Sequence, residues 1–562
     1  MKKSVFFCLI ATVALLASCN KSLPQPEEIS VNPSPLELKG GKVNADITGT
    51  FPVKKFAKKG VLVVTPVLKF DGQEAVGEPK TYVGEKAKEN GQTVNYKEGG
   101  TYTQSCSFDY VPAMSESELY LRFEAKIGKK VIEIPDLKIA DGVNATAELA
   151  QAKDNKIVNT PDKFQRIIQE TTEADIRFLI QQANLRSSET KSEQIKNLQA
   201  AIKEANSAER KAINKIEVSG YASPDGGLAL NEGLAKNRQK VTEKFLQKNL
   251  KKDKIQGANI ESDITAEDWE GFQRAMENSN MQDKDLVLRV LSMYSDPEER
   301  EAQIKNLSNV YSTIAKDVLP ALRRSRLILT TDLIGKSDEE ILALVESDPT
   351  QLSVEELLYA ATLVEDKAKK LEIYGKAADI YNDYRAWNNM GEIYFADGNI
   401  AEARRNFTKA AEINPNDPDV QYNAGVAALA DGDLAKAEEH FGKAAGTKGN
   451  LDAALGTLYT QKGDYAAAKK AYGDKATNNA AVQQILNEDY AAASKTLNNV
   501  KEPNATTAYL KAVVAARTND KAGVIANLKS AVAQDASFKA RAKADIEFSK
   551  FAEDEEFQAI VK

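Results

Sequence analysis

The strongest constraint on the fold is a sequence period of about 34 residues in the C-terminal part of the chain. Large and small residues recur in a fixed order in a first copy: Trp387, Met390, Gly391, Tyr394, Ala403, Phe407, Ala410 and Pro415. The second copy, one period later, supplies Ala424, Gly425, Ala428, Ala437, Phe441 and Ala444. A third copy, displaced by slightly less than one period, supplies Leu455, Gly456, Tyr459, Ala468 and Tyr472. Units of this length cannot bury their apolar faces singly, so the period predicts a stacked helical solenoid.

This arrangement resembles the tetratricopeptide repeat, in which small residues lie where two helices meet and aromatic residues fill the gap to the next repeat. Weaker copies contain Leu358, Tyr359, Tyr374 and Ala377 on one side, and Tyr490 and Tyr509 on the other. We therefore expect an all-α solenoid over residues 337–562, with a groove that binds a protein partner. Candidate groove residues on the first helices of the repeats are Asn388, Asn389, Glu392, Gln421 and Asn423. The alternative is that these polar side chains only solvate the solenoid.

The first residues of the chain have the pattern of a secretory signal. Lys2 and Lys3 precede an apolar run that is too short for a permanent membrane span. The residues Leu16-Ala17-Ser18-Cys19 that end this run resemble the bacterial lipobox. The resemblance implies a signal peptide over 1–18 and a lipid-modified Cys19 as the mature N-terminus, although an ordinary signal peptide with a chance cysteine has the same outline. Multiple acyl chains would anchor the protein stably in a membrane.

Between the anchor and the repeats, the pattern changes twice. Residues 19–34 are polar and rich in proline, which predicts a tether. Residues 35–142 alternate apolar and polar side chains between glycine-containing turns, which predicts a β-sandwich. Within this region, Cys106 is expected to be a buried strand thiol.

Residues 155–335 alternate strand and helix patterns, which predicts an α/β domain, with a helical insertion at about 265–318. Gly220, Tyr221 and Gly226 mark a strand end and a glycine-rich loop, and Asn231, Leu234 and Arg238 follow in the spacing Asn-x-x-Leu-x-x-x-Arg. This motif resembles the OmpA-like C-terminal domain. The resemblance implies that the loop and the helix start bind the diaminopimelate of peptidoglycan, with Arg238 on a carboxylate.

The chain departs from the OmpA-like pattern at one position. The family usually has an aspartate two residues after the position of Tyr221, where this chain has Ser223; Asp225 comes two residues later. The candidate peptidoglycan-binding residues are therefore Arg238, Asn231, Asp225 and Ser223. The alternative is that Asn231 only caps the helix and that Arg238 is a solvated helix residue.

Composition argues against several other classes of function. A net charge of −7 over 562 residues does not suit a nucleic-acid-binding protein. The chain has a single histidine, His440, which we expect on a repeat surface, and the glycine-rich loop lacks both nucleotide-binding spacings. We therefore expect no metal, no cofactor and no catalytic site.

The combined pattern predicts a multidomain lipoprotein of the Bacteroidetes type, anchored in the outer membrane. Asn20 after the lipid cysteine favours the outer membrane, and the absence of acidic residues directly after it favours the periplasmic face. Such a protein would act as a scaffold or cell-wall tether. One alternative is a surface-exposed adhesin or fimbria-associated component. A second is a glycan-acting enzyme using Asp268 and Glu270 beside Trp269.

Overall fold

The computed structural model describes residues 24–562, so the predicted signal peptide and Cys19 lie outside the described residues. Contacts divide the chain into two compact units. One unit contains the chain up to Pro161 together with Val364–Lys562, and the other contains Asp162–Leu363. The second unit therefore interrupts the first in sequence. Within residues 24–562, no helix has both the length and the apolar character needed to cross a membrane.

The N-terminal part of the first unit is rich in β-strands that form two sheets. The strands are β1 (Glu27–Asn32), β2 (Leu36–Lys39), β3 (Lys42–Phe51), β4 (Gly60–Phe70), β5 (Gln73–Val76), β6 (Lys80–Gly84), β7 (Gln92–Val94), β8 (Gly100–Asp109), β9 (Ser117–Ile127), β10 (Lys130–Ile132), β11 (Leu137–Asp141) and β12 (Val143–Asn144). One sheet has the order β1-β3-β2-β12, with β8 also paired to β3. The other has the order β10-β9-β4-β6-β7, with β11 on β9 and β5 on β4.

Both sheets contribute side chains to one apolar core. Ile47 and Tyr102 from the first sheet join Leu62 and Leu119 from the second. Cys106 is a free, buried thiol on β8, as its alternating pattern predicts. Burial raises the pKa of this thiol to about 11, so it is protonated and poorly reactive at neutral pH.

Part of the predicted tether over 19–34 is a β-strand in the structure, and residues 19–23 lie outside the described residues. Residues Glu27–Asn32 form β1, which pairs antiparallel with β3. Val31 is buried and Ile29 packs against the same core. The alternation of these two apolar residues outweighs the neighbouring prolines, because it places both side chains on the core face of a strand.

The second unit is an α/β unit with a four-stranded mixed sheet. Its strands are β13 (Ile167–Arg177), β14 (Lys211–Tyr221), β15 (Ile260–Thr265) and β16 (Arg324–Ile334), in the order β13-β16-β14-β15. Its helices are α1 (Ser187–Thr190), α2 (Glu193–Ser207), α3 (Leu228–Lys252), α4 (Trp269–Glu277), α5 (Lys284–Met293), α6 (Pro297–Asn306), α7 (Ser308–Asp317), α8 (Leu319–Leu322), α9 (Asp338–Ser347) and α10 (Val354–Ala360). Only β14 and β15 run parallel, and α3 connects them. Helices α4 to α8 form the predicted insertion and have their own apolar core.

The C-terminal part of the first unit is all-α and consists of repeated helix pairs. Its helices are α11 (Lys367–Tyr381), α12 (Tyr384–Ala396), α13 (Ile400–Ile413), α14 (Pro418–Ala430), α15 (Leu434–Lys443), α16 (Leu451–Lys462), α17 (Tyr465–Tyr472), α18 (Asn478–Leu486), α19 (Tyr490–Asn498), α20 (Ala505–Arg517), α21 (Lys521–Gln534), α22 (Phe538–Ala544) and α23 (Glu555–Val561). Most consecutive helices are separated by only a few residues, so each packs against the next, as in a solenoid.

The repeat glycines lie where the two helices of a pair come closest. A Cβ atom on Gly391 would lie 2.7 Å from the ring of Phe407, and one on Gly425 would lie 2.5 Å from the ring of Phe441. A Cβ atom on Gly456 would likewise lie 2.5 Å from Tyr472. The recurring small residue therefore makes room for the recurring aromatic ring, which is the packing that the sequence period predicts.

Candidate functional site

The loop between β14 and α3 contains two of the predicted peptidoglycan-binding residues, Ser223 and Asp225. The Ser223 hydroxyl donates a hydrogen bond to the Asp225 carboxylate. Arg323, which directly precedes β16, donates to the Ser223 hydroxyl at 3.2 Å and to the other Asp225 oxygen at 3.1 Å. Both oxygens of the carboxylate therefore have a partner within the loop region.

Asn231 holds this loop from the first turns of α3. Its amide nitrogen donates to the carbonyl oxygens of Ser223 at 3.2 Å and Gly226 at 2.7 Å. The helix begins after Gly227, so Asn231 lies inside the helix and is not its N-cap. The alternative that Asn231 only caps the helix is wrong, because the side chain binds loop carbonyls that precede the helix start.

Arg238 is the last of the predicted residues of this site, and only 1% of it is exposed. Its Nε donates to the Gln182 carbonyl at 3.0 Å, and one terminal nitrogen donates to the Tyr221 carbonyl at 2.8 Å. Burial lowers the pKa of the guanidinium to about 10, and the positive charge of Arg323 contributes to this lowering against the effect of Asp225. Arg238 therefore stays charged at neutral pH and is a buried residue, which excludes the interpretation as a solvated helix residue.

The positive and negative charges around this loop do not cancel. The positive charges of Arg238, Arg323 and Lys305 and the negative charges of Asp225 and Glu301 act on one another here, which leaves one positive charge in excess. The excess positive charge suits a carboxylate better than an ammonium group. Sequence reasoning missed Arg323, whose only signal is the basic run that opens β16, far along the chain from the loop.

Asp268 and Glu270, the two acids of the glycan-enzyme interpretation, differ in their exposure to solvent. Asp268 is 3% exposed, caps α4 through the backbone N–H of Gly271 at 2.8 Å, and lies 2.9 Å from a terminal nitrogen of Arg324. The side chain of Glu270 is 90% exposed. The buried ion pair accounts for Asp268 in structural terms. Across residues 24–562, no group of three or more His, Cys, Asp or Glu side chains is placed to hold a metal ion.

A second candidate site is the groove formed by the first helices of the repeats, which holds residues 150–160 of this same chain. We call these residues the groove segment. Asn423 on α14 accepts from the backbone N–H of Val158 at 2.8 Å and donates to its carbonyl at 2.7 Å. Asn389 on α12 makes the same pair of bonds to Thr160, at 3.1 and 2.9 Å. Each carboxamide thus satisfies both backbone groups of one residue.

The same contact recurs at the other end of the groove segment. Asn479 on α18 accepts from the Gln151 N–H at 3.1 Å and donates to its carbonyl at 2.9 Å. Gln461 on α16 donates to the Ala150 carbonyl at 2.8 Å. The groove therefore binds the main chain of residues 150–160 through side chains, at points on both sides of a 3-10 turn at Ala152–Asp154.

Apolar and side-chain contacts complete the binding of the groove segment. Ala152 is buried in the core formed by α12 to α16, and Ile157 and Val158 pack against that core. Glu392 on α12 accepts a hydrogen bond from the Asn159 side chain at 2.7 Å. The peptide is thus held by main-chain hydrogen bonds and by small or branched apolar side chains.

Four of the five predicted groove residues contact the groove segment. Asn388 donates to the Val158 carbonyl at 3.1 Å, and Asn389, Glu392 and Asn423 bind as described above. Gln421 instead lies 2.8 Å from Nδ1 of His440 and donates to the Pro415 carbonyl. The predicted surface histidine is half-buried, and burial lowers its pKa.

A buried carboxylate fixes the chain directly before the groove segment. Glu547 has a side chain that is 3% exposed, and it accepts hydrogen bonds from Asn144 at 3.0 Å and Thr146 at 2.7 Å. Arg517 on α20 neutralises it through a terminal nitrogen at 2.9 Å. The N-terminal end of the groove segment is therefore tied both to β12 and to the end of the solenoid.

One family match supports the repeat assignment. The tetratricopeptide repeat family model matches residues 384–417, which contain α12 and α13. No curated protein matches the chain. A tetratricopeptide repeat protein from Parabacteroides merdae is 15% identical over 46% of this chain and 96% of its own, with a TM-score of 0.30. The Cut9–Hcn1 hetero-tetramer of APC/C is 15% identical over 52% of this chain and 61% of its own, with a TM-score of 0.29.

The C-terminal part of a repeat-containing protein from Cytophaga hutchinsonii is 18% identical over 49% of this chain and 98% of its own, with a TM-score of 0.22. The family match falls on the first copy of the sequence period and confirms the predicted repeat type. This chain is a tetratricopeptide repeat-containing protein, with its repeats in the C-terminal region.

Proposed function

We propose that this protein is a non-catalytic scaffold whose repeats bind a protein partner through an extended peptide. The observation that carries the proposal is the set of paired hydrogen bonds from Asn389, Asn423 and Asn479 to a peptide main chain. Hydrogen bonds to the main chain of a bound peptide give affinity, while pockets for its side chains give specificity. Repeats of this type generally bind protein partners.

The partner proposal is tested by capture from the native envelope with matched variants. The tagged chain is cross-linked in cells as wild type, as Asn389→Ala/Asn423→Ala, and as Arg405→Ala, whose side chain is 74% exposed on α13. We expect one or more partners to be captured by the wild type and by Arg405→Ala, and to be lost from the double variant. An identical set of captured proteins in all three samples would refute groove binding.

The proposed location is the periplasmic face of the outer membrane, with Cys19 carrying the lipid anchor. The lipobox-like sequence supports this placement. Replacing Cys19 with Ala should release the protein from the membrane fraction into the soluble fraction. Protease added to intact cells should leave the wild-type protein uncut, whereas digestion would favour the alternative of a surface-exposed adhesin.

The finer part of the proposal is that the α/β unit is OmpA-like and attaches to peptidoglycan. It is supported by the strand, loop and helix that position Asn231 and Arg238, together with the excess positive charge around Asp225. A stem peptide offers carboxylates, which a guanidinium pair binds well. Because Asp225 is already paired with Arg323, a ligand's ammonium group would have to displace this ion pair.

A sedimentation assay with purified sacculi tests the wall contact. The mature chain should sediment with sacculi, and Arg238→Ala should not. Lys236→Ala removes one positive charge from an exposed position of the same helix and should behave as the wild type. If the wild type stays in the supernatant, the wall-binding part of the proposal fails and the protein-binding part is unaffected.

A further inference from the structure

The groove segment shows what kind of ligand the groove accepts. Its paired hydrogen bonds go to the main chain of Gln151, Val158 and Thr160. Main-chain groups are the same in every residue except proline, so these contacts set a conformation and exclude proline at three positions. They place little demand on the identity of the side chains.

The few side-chain demands lie near Val158. Ile157 and Val158 pack against the solenoid core, Asn155 is buried beside Thr457 at 3.4 Å, and Thr160 is buried. Lys156 and Asn159 are exposed. A peptide that fits the groove therefore has an extended main chain and two adjacent branched apolar residues, with polar residues tolerated on either side.

The two halves of the groove segment are held differently. Its N-terminal side follows the buried Glu547 cluster and contains a short 3-10 turn at Ala152–Asp154. Residues 156–160 belong to no helix or strand, so they can leave the groove without breaking an α-helix or a sheet. Leaving the groove would free Asn389, Asn423 and the apolar contacts of Val158.

We propose that residues 150–160 are a resident ligand of the groove, and that an extended peptide of the partner displaces their C-terminal half and takes over the same main-chain bonds. This inference rests on the proposed function and names the chemistry of the partner. The covalent connection gives the resident segment an effective concentration on the order of millimolar. A partner peptide must therefore compete with a ligand that is always present, which keeps the groove closed to weak binders.

A free peptide binding assay tests this displacement. The probe is a fluorescently labelled synthetic peptide with the sequence of residues 150–161, measured by anisotropy against the mature chain. The wild type should bind it weakly, because its groove is filled. Val158→Pro in the protein removes the N–H that donates to Asn423, and this weakens binding of the resident segment. The Val158→Pro protein should therefore bind the wild-type peptide at least tenfold more tightly than the wild-type protein does. Equal affinity of the two proteins would overturn the proposal.

Two further samples show that binding occurs in the groove. Adding Asn389→Ala and Asn423→Ala to the Val158→Pro protein should abolish the gain in affinity. If this triple variant still binds the peptide tightly, the peptide binds outside the groove and the proposal is refuted. Ile157→Ser/Val158→Gly, which keeps every backbone N–H, is a second way to weaken the resident segment if the proline variant does not fold. Protection of the Cys106 thiol from labelling reports that the β-rich part of the same unit is folded in each variant.

The outcome separates this inference from the proposed function. If cells lose a partner in the Asn389→Ala/Asn423→Ala variant but the free peptide never binds, the groove binds a partner and the displacement model is wrong. If the peptide binds as expected but no cellular partner depends on these asparagines, the displacement chemistry stands and the proposed function fails.

Discussion

The solenoid groove and the loop of the α/β unit both contain buried polar side chains, but their partners differ. In the groove, Asn389 and Asn423 bind the main chain of a segment that lies far away in sequence, before the whole α/β unit. In the loop, Asn231 and Asp225 bind groups of the same loop and a nearby arginine. The groove carboxamides meet a peptide, whereas the loop groups largely stabilise each other.

The groove is therefore a binding site that is already occupied, whereas the loop is ordered without a bound ligand. Buried hydrogen-bonding groups need partners, and Asn389 and Asn423 obtain most of theirs from the groove segment. The loop obtains its partners from its own backbone, from Asn231 and from Arg323, so it is shaped before any ligand arrives. Mutations should therefore affect folding most strongly in the groove, where removal of one side chain leaves groups of another segment unsatisfied.

The largest expected effect comes from Asn423→Ala. Removing this side chain leaves the N–H of Val158 and Oδ1 of Asn388 without their bonds to Asn423, whereas the carbonyl of Val158 keeps the bond that Asn388 donates. We expect the free energy of unfolding of the solenoid to fall by about 2–4 kcal/mol, from one to three for each unsatisfied buried group. Urea titration of a Trp269→Phe background reads the remaining Trp387 on α12.

The exposed residue Asn498 at the end of α19 provides the matched control for this titration. Asn498→Ala should change the unfolding free energy by less than about 0.5 kcal/mol. An equally small effect of Asn423→Ala would mean that the groove segment contributes nothing to stability, and the contrast between groove and loop would disappear.

A smaller effect is expected from Asp225→Asn in the loop. The change removes the ion pair with Arg323, in which the arginine and aspartate side chains are 10% and 16% exposed, but it keeps a polar group beside Ser223. Because asparagine can still accept hydrogen bonds and only the charge assistance is lost, we expect the unfolding free energy of the α/β unit to fall by about 1–2 kcal/mol. Urea titration in a Trp387→Phe background, which leaves Trp269, measures it. A loss larger than that caused by Asn423→Ala would reverse the comparison.

The smallest effect concerns His440, which contacts Gln421 beside the groove. Burial lowers the pKa of its imidazole from 6.5, so the native state favours the neutral ring and the unfolded state binds a proton more readily. This residue therefore lowers stability as the pH falls below about 6.5 and has no such effect above it. Wild type and His440→Gln, compared at about pH 5 and about pH 7.5, should differ in pH dependence by less than about 1 kcal/mol. Greater stability of the wild type at the lower pH would contradict the sign.

The repeat packing was predictable because the period itself specifies the contact. Gly391 and Phe407 recur together in sequence, and the structure brings them together between paired helices. The buried face of α2 was likewise visible in Ile195, Leu198 and Ile202, all of which are buried. Periodic apolar residues report local burial directly.

The groove segment was not predictable in the same way. Residues 150–160 have no helical or strand period, because main-chain contacts leave little trace in side-chain identity. The repeats themselves contained a sequence signal for this contact, because Asn389 and Asn423 occupy the same position of successive repeats. Arg323 was missed for a related reason, since its partner Asp225 is distant in sequence and only the sheet brings them together.

Hydrogen–deuterium exchange of the groove segment tests the central claim most directly. In the wild type, the amide hydrogens of Gln151, Val158 and Thr160 should exchange far more slowly than those of an unstructured peptide. Asn423→Ala should accelerate exchange most at Val158, and Asn389→Ala most at Thr160, because each asparagine accepts from that one amide. Exchange of these amides in the wild type at the rate of an unstructured peptide would contradict the account, because the groove would then hold no bound segment.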